Sequence, residues 1–317
     1  MPNRVCLGID TSCYTTSVAC VQEQGIVFSE RTMLSVPFGA RGLRQSEALF
    51  QHVRQLPTLL EHLFQKVERQ SIAAVACSAT PTVQPQSYMP VFLAGSGQAR
   101  ALAAALDVPC ILTDHQSGHI RAAALGNEAL LQTEQFFAVH ISGGTTDVLL
   151  VRPHADRPYE ITQVGASTDL HAGQFVDRVG VALGLSFPAG KQFEALANGA
   201  TQRQIKLPAS VQGVNCSFSG AESQARRILC DTPKEELAFA VYDCLARTLN
   251  KQFQAAAAQY GNLPFLLCGG VASSALLRTL LRDRVRCDLL FGASEWSSDN
   301  AVGTAYLGLD RSALWKH

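Results

Sequence analysis

The sequence predicts an α/β fold of two lobes, each of which opens on a similar β-hairpin. Residues 5–21 read VCLGIDTSCYTTSVACV, and residues 137–151 read FAVHISGGTTDVLLV. In each segment two apolar runs flank a short turn rich in hydroxyl groups or glycine, the pattern of two strands around a tight hairpin. Strand-like and helix-like segments alternate after the first hairpin, which favours parallel strands. With 317 residues, the chain also exceeds the usual size of a single core.

In the first lobe, short apolar runs alternate with segments of helical periodicity. The predicted elements are strands over 25–34, 72–78 and 108–113 and helices over 46–70 and 89–106. Pro57 lies within the first of these helices and is expected to split or kink it. Directly after the first lobe, a further helix is predicted over 115–125, ending near Gly126 and Asn127.

In the second lobe, the second hairpin is followed mainly by helices. These are predicted over 172–185, 234–260 and 274–284, with a strand over 263–268 that runs into a Gly-Gly turn. A last helix is predicted over 299–309, where the chain returns to the first lobe. We assign residues 1–113 and 299–317 to the first lobe. Residues 114–298 form the predicted second lobe, which would carry the metal and nucleotide motifs.

The composition restricts the class of protein. Lys plus Arg equals Asp plus Glu at 26 each, so no global field attracts nucleic acid. The ten cysteines are scattered without a CxxC pair and are interpreted as reduced thiols. The first residues run directly into a strand, which leaves no room for a signal peptide, and no apolar stretch approaches the roughly 20 residues of a membrane span. The prediction is a cytoplasmic protein with no membrane contact.

Two histidines four residues apart form a candidate metal site. In the segment HQSGH, His115 and His119 would share one helix face and reach a single ion. Two imidazoles favour a divalent transition metal, such as iron or zinc, over magnesium. The third ligand must come from elsewhere, and Asp299 at a predicted helix start is the best candidate. The alternative interpretation is two surface histidines and an ordinary helix cap. A metalloprotease is disfavoured, because Gln116 stands where that mechanism needs a Glu base.

Three polar turns are candidates for nucleotide binding, because backbone N–H groups and hydroxyls together suit a phosphate. The candidate residues are Asp10, Thr11 and Ser12 in the first hairpin, Ser142, Gly143 and Gly144 in the second, and Gly269, Gly270 and Ser274 after a later strand. In this order they match the two phosphate elements and the adenosine element of the sugar-kinase, chaperone and actin superfamily. The alternative for each turn by itself is a structural hairpin or loop.

Two further residues fit an adenosine site. Asp177 on a predicted helix face would accept hydrogen bonds from ribose hydroxyls, and Gly190 in a Pro-Ala-Gly turn would permit close backbone approach. The compact turn Ser217–Gly220 within CSFSG is also polar. Taken singly, these features are typical of a surface acid and ordinary turns.

The succession of motifs resembles the TsaD family, which makes threonylcarbamoyladenosine on tRNA and was formerly labelled a glycoprotease. The motifs are LGIDTSCYTTSVA, HQSGH, ISGGTTDVLLV, FVDRVGVALGLSFPAG, SFSG, CGGVASSALLR and SSDNAVGTAYLG. They occur in the family's order over nearly the whole chain. The resemblance implies an actin-like ATPase (ASKHA) fold, with a mixed sheet and helices on both faces in each lobe.

The resemblance also implies an activity and a set of site residues. Members transfer a threonylcarbamoyl group from threonylcarbamoyl-adenylate to N6 of adenosine 37 in tRNA. Metal ligands of the family correspond to His115, His119 and Asp299. Its nucleotide-binding residues correspond to His140, Ile141, Ser142, Gly143 and Gly144, together with Asp177, Gly190 and the position of Ser274. The implied cofactors are one divalent transition metal and ATP or an adenylate. The implied partners are tRNA and a smaller TsaB-like protein or a second copy of the chain.

The chain departs from the family pattern at several positions, and no residue is assigned as a catalytic acid or base. Tyr14 and Thr15 replace an Asp-Glu pair, Ser117 replaces a Glu, Thr145 replaces a His and Ser274 replaces an Asn. The Gly-Pro-Gly loop of the family has become residues 79–85. Three functions therefore remain open: a threonylcarbamoyl transferase, a paralogue acting as a nucleotide-binding regulator or scaffold, and an ATPase of the same superfamily.

Overall fold

The computed structural model describes residues 4–12, 14–36, 43–154 and 159–312. Its contacts divide the chain into two units. The first comprises Met1–Leu125, His154–Glu160 and Ser298–His317, and the second comprises Gly126–Pro153 and Ile161–Ser297. The lobe bounds predicted from the sequence, with a boundary at 113/114, stay predictions. Helix 115–123 groups with the first unit, in which it packs against the C-terminal helix.

The first unit contains a mixed sheet and four helices among its described residues. The elements are β1 (Val5–Asp10), β2 (Thr15–Gln22), β3 (Gly25–Met33), α1 (Gln45–Lys66), β4 (Ile72–Thr80), α2 (Phe92–Leu106), β5 (Cys110–Asp114) and α3 (His115–Ala123), with α9 (Val302–Ser312) returning from the end of the chain. The strand order is β3-β2-β1-β4-β5. The first three strands pair antiparallel, whereas β1, β4 and β5 run parallel.

Helices cover both faces of the first sheet, as the alternation of side chains along β1 requires. Leu7 and Ile9 face one side and join a core with Leu59 and Leu63 of α1 and with α2. Gly8 faces the other side, where a Cβ would stand 2.6 Å from the backbone oxygen of Ala301, directly before α9. Glycine at this position therefore lets the C-terminal helix pack directly on the strand.

The second unit contains the remaining elements. They are β6 (Phe136–Ile141), β7 (Thr146–Pro153), β8 (Tyr159–Ala166), α4 (Ala172–Ala182), α5 (Gly190–Asn198), β9 (Ser210–Gln212), β10 (Asn215–Ser217), α6 (Ser219–Arg227), α7 (Lys234–Tyr260), β11 (Phe265–Cys268), α8 (Ala275–Arg284) and β12 (Leu289–Phe291). Their main sheet has the order β12-β11-β6-β7-β8. Its core includes Phe137 stacked on Phe265, which also contacts Phe253 of α7.

The two sheets share one strand order. If the five strands of each main sheet are numbered in chain order, both sheets have the spatial order 3-2-1-4-5. In each sheet, strands 1 and 2 form an antiparallel hairpin, and strand 4 runs parallel to strand 1. The predicted duplication is therefore confirmed, together with the α/β class and the mixed sheets.

The structure corrects several predicted elements. Helix α1 is not split at Pro57 but continues through it. Proline removes the hydrogen bond to the carbonyl of Val53, but Val53 is exposed, so water can satisfy that carbonyl. Strand β8 and the short helices α5 and α6 were not predicted, and residues 219–220 begin α6 rather than completing a free turn. The described cysteines are all free, and Cys13 lies outside the described residues.

Candidate functional site

The metal-site candidates lie at the carboxyl edge of the first sheet. β1 ends at Asp10, and β5 runs through Asp114 directly into α3, which begins at His115. Because β1, β4 and β5 are parallel, their carboxyl ends meet at the same edge. The side chains of these terminal residues are thereby brought together from distant parts of the sequence.

Helix α3 begins abruptly because Asp114 caps it. The carboxylate of Asp114 accepts hydrogen bonds from the backbone N–H of Ser117 at 2.8 Å and from its hydroxyl at 2.6 Å. This cap fixes the first turn of the helix, and His115 and His119 then lie on one face, as their spacing predicts. Ser117 is fully buried under this cap, so its side chain serves the helix start.

Three ligand atoms converge in front of α3. Nε2 of His115 and Nε2 of His119 are 3.0 Å apart, and Oδ1 of Asp299 lies 3.1 Å from the second and 3.6 Å from the first. In tetrahedral coordination with bonds of about 2.0–2.1 Å, neighbouring ligand atoms are about 3.3 Å apart. The observed spacing and the two-imidazole, one-carboxylate donor set thus fit a divalent transition metal.

At this cluster, His115 and the carboxylates shift each other's pKa toward the charged forms. Burial lowers the pKa of His115, but the carboxylates of Asp10 and Asp299 outweigh burial and hold this pKa well above its ordinary value. Burial raises the pKa of Asp299, but hydrogen bonds from His115 and His119 hold it far below the ordinary range. The cluster therefore places two carboxylates against the histidine pair, whose side chains are 15% and 9% exposed.

Asp10 lies behind His115. Its Oδ2 is 2.9 Å from Nδ1 of His115, on the side of the ring opposite the converging Nε2 atoms. It also accepts hydrogen bonds from the hydroxyl of Ser78 at 2.6 Å and from the backbone N–H of Ser12 at 2.9 Å. Burial raises the pKa of Asp10, but the His115 charge and these hydrogen bonds lower it below its ordinary value.

The loop that carries Asp299 is tied to the sheet by an arginine. Nη1 of Arg31 in β3 donates to the hydroxyl of Ser298 at 2.5 Å and to the backbone oxygen of Asp299 at 3.4 Å. Asn300 follows, and its side-chain oxygen accepts from the N–H of Val302 at 3.0 Å at the start of α9. The sequence analysis did not identify Arg31, because nothing local marks a strand residue that reaches a loop more than 260 positions away.

The other two residues of the first turn have local roles. The hydroxyl of Thr11 donates to the backbone oxygen of Val91 at 2.9 Å and accepts from the N–H of Gly95 at 3.1 Å, which fixes the strand end to the start of α2. Ser12 is fully buried, and its hydroxyl has no hydrogen-bond partner among the described residues. The predicted phosphate contacts of Asp10, Thr11 and Ser12 stay predictions.

In the second unit, the later glycine turn packs against the end of β6. Gly269 has φ +98°, and a Cβ there would meet the backbone oxygen of Ile141 at 2.4 Å and Cδ2 of His140 at 2.8 Å. Only glycine accommodates both this φ and this approach. The structure thus brings His140 and Ile141 next to Gly269, while the neighbouring Gly270 is exposed.

The second hairpin turn rests on the start of α4. The backbone oxygen of Ser142 accepts from the N–H of Gly173, and a Cβ on Gly173 would stand 2.7 Å from the backbone N of Gly143. Ser142 also accepts, through its hydroxyl, from the N–H of Gly144 at 3.3 Å. The exposed glycines of this turn therefore lie beside a helix N-terminus, an arrangement that suits an anion.

A cavity of about 520 Å³ lies along α4 and α6 within the second unit. Gly143, Asp177, Arg178 and Arg226 contribute to its lining, together with the exposed ring of Phe187. One carboxylate oxygen of Asp177 accepts from the backbone N–H of Ala189 at 2.8 Å, which leaves the other available. The volume of this cavity is in the range of small-molecule sites. Its lining brings together Gly143 and Asp177, which were predicted separately as nucleotide ligands.

Gly190 and Ser274 are linked through a third residue. The Tyr242 hydroxyl donates to the backbone oxygen of Gly190 at 3.5 Å; burial raises the pKa of the same hydroxyl, and the side chain of Ser274 opposes that rise. The hydroxyl of Ser274 caps α8 by accepting from the N–H of Leu277 at 3.2 Å. Both predicted residues therefore belong to one packed group. The assignments of metal and nucleotide ligands remain predictions at this point.

Comparison with known proteins decides the family. Residues 26–306 match the model of the family described as TsaD, tRNA N6-adenosine threonylcarbamoyltransferase. The chain belongs to the TsaD family. A relative of that name from Carboxydothermus hydrogenoformans is 30% identical over 99% of this chain and 94% of its own length. Another from Neorickettsia sennetsu is 27% identical over 98% of this chain and 94% of its own length.

Solved structures show that this TsaD-family chain has the actin-like ATPase fold. The Acidaminococcus fermentans (R)-2-hydroxyglutaryl-CoA dehydratase component A has a TM-score of 0.57 at 15% identity, with 98% of this chain and 99% of that chain covered. HypF of T. kodakarensis has a TM-score of 0.59 at 14% identity, with 99% of this chain and 48% of that chain covered. At such identities the likeness concerns the fold alone. Within the described residues, none of the helices combines the length and apolarity that a membrane span requires.

Proposed function

We propose that this chain transfers a threonylcarbamoyl group from threonylcarbamoyl-adenylate to N6 of adenosine 37 in tRNA. The observation that carries the proposal is the convergence of His115, His119 and Asp299 in a chain of the TsaD family. In this transfer a bond forms between N6 and the carbamoyl carbon. The bond from that carbon to the phosphate oxygen breaks, AMP leaves with the electron pair, and one N6 proton is released.

The proposed metal ligands are Nε2 of His115, Nε2 of His119 and Oδ1 of Asp299. Their spacing and chemistry support iron or zinc over magnesium, which prefers oxygen ligands. When bound, such an ion supplies a Lewis acid that polarises a carbonyl or phosphoryl oxygen. The protein's own contribution is to hold the three donors in place through the Asp114 cap and the Arg31 contacts.

The proposed adenylate ligands lie in the second unit. We assign the phosphate to the turn of Ser142, Gly143 and Gly144, and the ribose to the free carboxylate oxygen of Asp177. Arg178 and Arg226 add positive charge to the same cavity, although Arg226 is paired with Glu222. The positive charge in this cavity supports an anionic nucleotide rather than a neutral ligand.

A reconstituted assay tests the transfer. The purified protein is given threonylcarbamoyl-adenylate, tRNA and a TsaB-like partner, and modified adenosine is quantified in the digested tRNA. We expect product with the unaltered chain and at least a hundredfold less with His119→Ala, consistent with loss of a metal ligand. The matched control is His62→Ala, which removes an exposed histidine paired with Glu30. It should leave the yield unchanged.

Other outcomes select the alternatives. A chain that binds Zn²⁺ and AMP yet gives no modified adenosine under any partner condition is the nucleotide-binding regulator or scaffold. Release of inorganic phosphate from ATP without tRNA identifies an ATPase. Product formation that is equal in the unaltered chain and in His119→Ala contradicts the metal-dependent transferase.

We also propose a partner and a location. Phe50 and Val53 of α1 and Leu93 of α2 are more than half exposed, and we propose that another chain covers them. A TsaB-like protein is the proposed occupant. Light scattering of the chain alone should give a monomer and should give a 1:1 complex after that protein is added, whereas a dimer of the chain alone identifies a second copy instead. Because the proposed acceptor is tRNA, the proposed location is the cytoplasm.

A further inference from the structure

We propose that Asp10 is a positioning residue of the metal centre and that it does not contact the nucleotide phosphate. On this proposal its carboxylate fixes the tautomer and orientation of His115. The proposal depends on the metal site of the proposed function but not on the transfer reaction. The two nitrogens of the His115 ring have different neighbours: Nδ1 is 2.9 Å from Oδ2 of Asp10, and Nε2 points to His119 and Asp299.

The chemistry of imidazole makes this contact directional. A neutral ring has one N–H, and only the other nitrogen offers a lone pair to a metal. A carboxylate is an acceptor, so Asp10 stabilises the proton at Nδ1 and leaves the lone pair at Nε2. Carboxylate partners of this kind orient metal-binding histidines and raise their basicity.

Asp10 is itself held rigidly. It is 1% exposed, and its oxygens accept from Ser78, from the backbone N–H of Ser12 and from His115. A phosphate at this position would bring a second anion against a buried carboxylate whose oxygens already accept from three donors. The contacts therefore assign Asp10 to the histidine and not to an anionic ligand.

The same network connects Asp10 to the helix that follows Asp299. The hydroxyl of Ser78 in β4 is 3.0 Å from the hydroxyl of Thr304 in α9, and both side chains are fully buried. Asp10, Ser78 and Thr304 thus form a continuous chain of hydrogen bonds from β1 through β4 to α9. This chain fixes His115 relative to the segment that carries the third ligand.

The test measures metal affinity in Asp10→Asn without any assay of transfer. Zn²⁺ affinity is measured by competition with a chromophoric chelator, and the visible spectrum of the Co²⁺-loaded protein reports on ligand geometry. We expect Zn²⁺ affinity to fall about 10- to 100-fold. The amide can donate to Nδ1 and move the proton to Nε2, the wrong tautomer for a ligand. AMP affinity should stay unchanged.

The matched variant is Asp177→Asn, which should weaken AMP binding and leave Zn²⁺ affinity unchanged. The proposal is overturned if Asp10→Asn binds Zn²⁺ within about twofold of the unaltered chain, or if it loses AMP affinity alone. Circular dichroism of the metal-free proteins checks folding. If Asp10→Asn does not fold, Ser78→Ala decides: a loss of about threefold or more in Zn²⁺ affinity supports the proposal, and an unchanged affinity overturns it.

Discussion

The carbonyl oxygen of Gly118 in α3 lies so close to Gly303 in α9 that a Cβ on Gly303 would stand 1.9 Å from it. A Cβ on Gly118 would in turn meet the hydroxyl of Thr304 at 3.0 Å. The two helices therefore touch through their backbones. Since α3 carries His115 and His119 and α9 follows Asp299, this contact sets the distance between the metal-ligand candidates.

Gly303→Ala should separate the two helices. The added methyl group overpacks a backbone contact, so we expect the free energy of unfolding to fall by about 2–3 kcal/mol and Zn²⁺ affinity to fall with it. Urea unfolding and chelator competition measure the two effects. Gly97→Ala in α2 is the control: outside its own helical turn, no atom of the described residues lies within 4 Å of its Cβ position, so stability should rise by about 0.5–1 kcal/mol. Equal free energies of unfolding for the two variants would show that α3 and α9 do not pack as closely at Gly303 as described.

Zn²⁺ should stabilise the folded chain, because a ligand that binds only the native state shifts unfolding by mass action. At a free concentration of about 100 times the Kd, the expected gain is about 2.7 kcal/mol. Asp299→Asn should abolish most of the corresponding rise in melting temperature. Asp283→Asn, at an exposed position of α8, is the matched carboxylate control and should keep the full rise. A rise that is retained in Asp299→Asn would exclude Asp299 as a ligand.

Asp169 should make stability depend on pH. Burial raises its pKa, but hydrogen bonds from the Ser217 and Ser219 hydroxyls and from the N–H groups of Leu170 and Phe218 hold it well below the ordinary value. The pKa of Asp169 is therefore lower in the folded chain than in the unfolded chain, where it is about 3.9. Its contribution to the free energy of unfolding is complete above that unfolded pKa and is lost as the pH falls below it toward the folded-state pKa.

The corresponding variant is Asp169→Asn. At pH 7 it should lower the free energy of unfolding by about 1 kcal/mol, since the group is exposed and solvent screens it. The difference from the unaltered chain should shrink as urea unfolding is repeated at lower pH, from about pH 5 downward. A difference that stays constant to pH 3 would show that the charge of Asp169 contributes nothing.

Ser274 should matter for the stability of α8. Its hydroxyl caps the helix at Leu277, so Ser274→Ala should lower the free energy of unfolding by about 1 kcal/mol. Thr279→Ala, at an exposed position of the same helix, is the control and should change it by less than about 0.5 kcal/mol. Urea unfolding compares the two. If they behave alike, the cap is without energetic consequence, and the side chain is free for the predicted nucleotide contact.

The sequence was sufficient for features that depend on neighbouring residues. The apolar runs on either side of each polar turn predicted the hairpin strands, and helical periodicity predicted α7 over Lys234–Tyr260 with the observed bounds. The placement of His115 and His119 on one helix face also followed from their spacing alone. Short elements were missed, because α5 and α6 contain too few turns for a clear period.

Some long-range contacts had a detectable signal that was not used. Parallel strands place their carboxyl ends together, so the end of β1 at Asp10 and the end of β5 at Asp114 indicate that Asp10 lies near His115. The partners Ser78, Thr304 and Arg31 had no such signal. Their contacts depend on which strand and helix lie side by side, and this order is not contained in any local pattern.

The sequence by itself therefore determined the duplicated α/β framework, the histidine pair and the family pattern, because each is expressed in contiguous residues. The tertiary structure decided that α3 groups with the first unit, that the Asp299 carboxylate lies within 3.6 Å of both histidines and that Asp10 contacts His115. Those facts depend on strand order and on the close glycine contact between α3 and α9. Residues more than a hundred positions apart are brought within hydrogen-bond distance only when the sheet and its covering helices have packed.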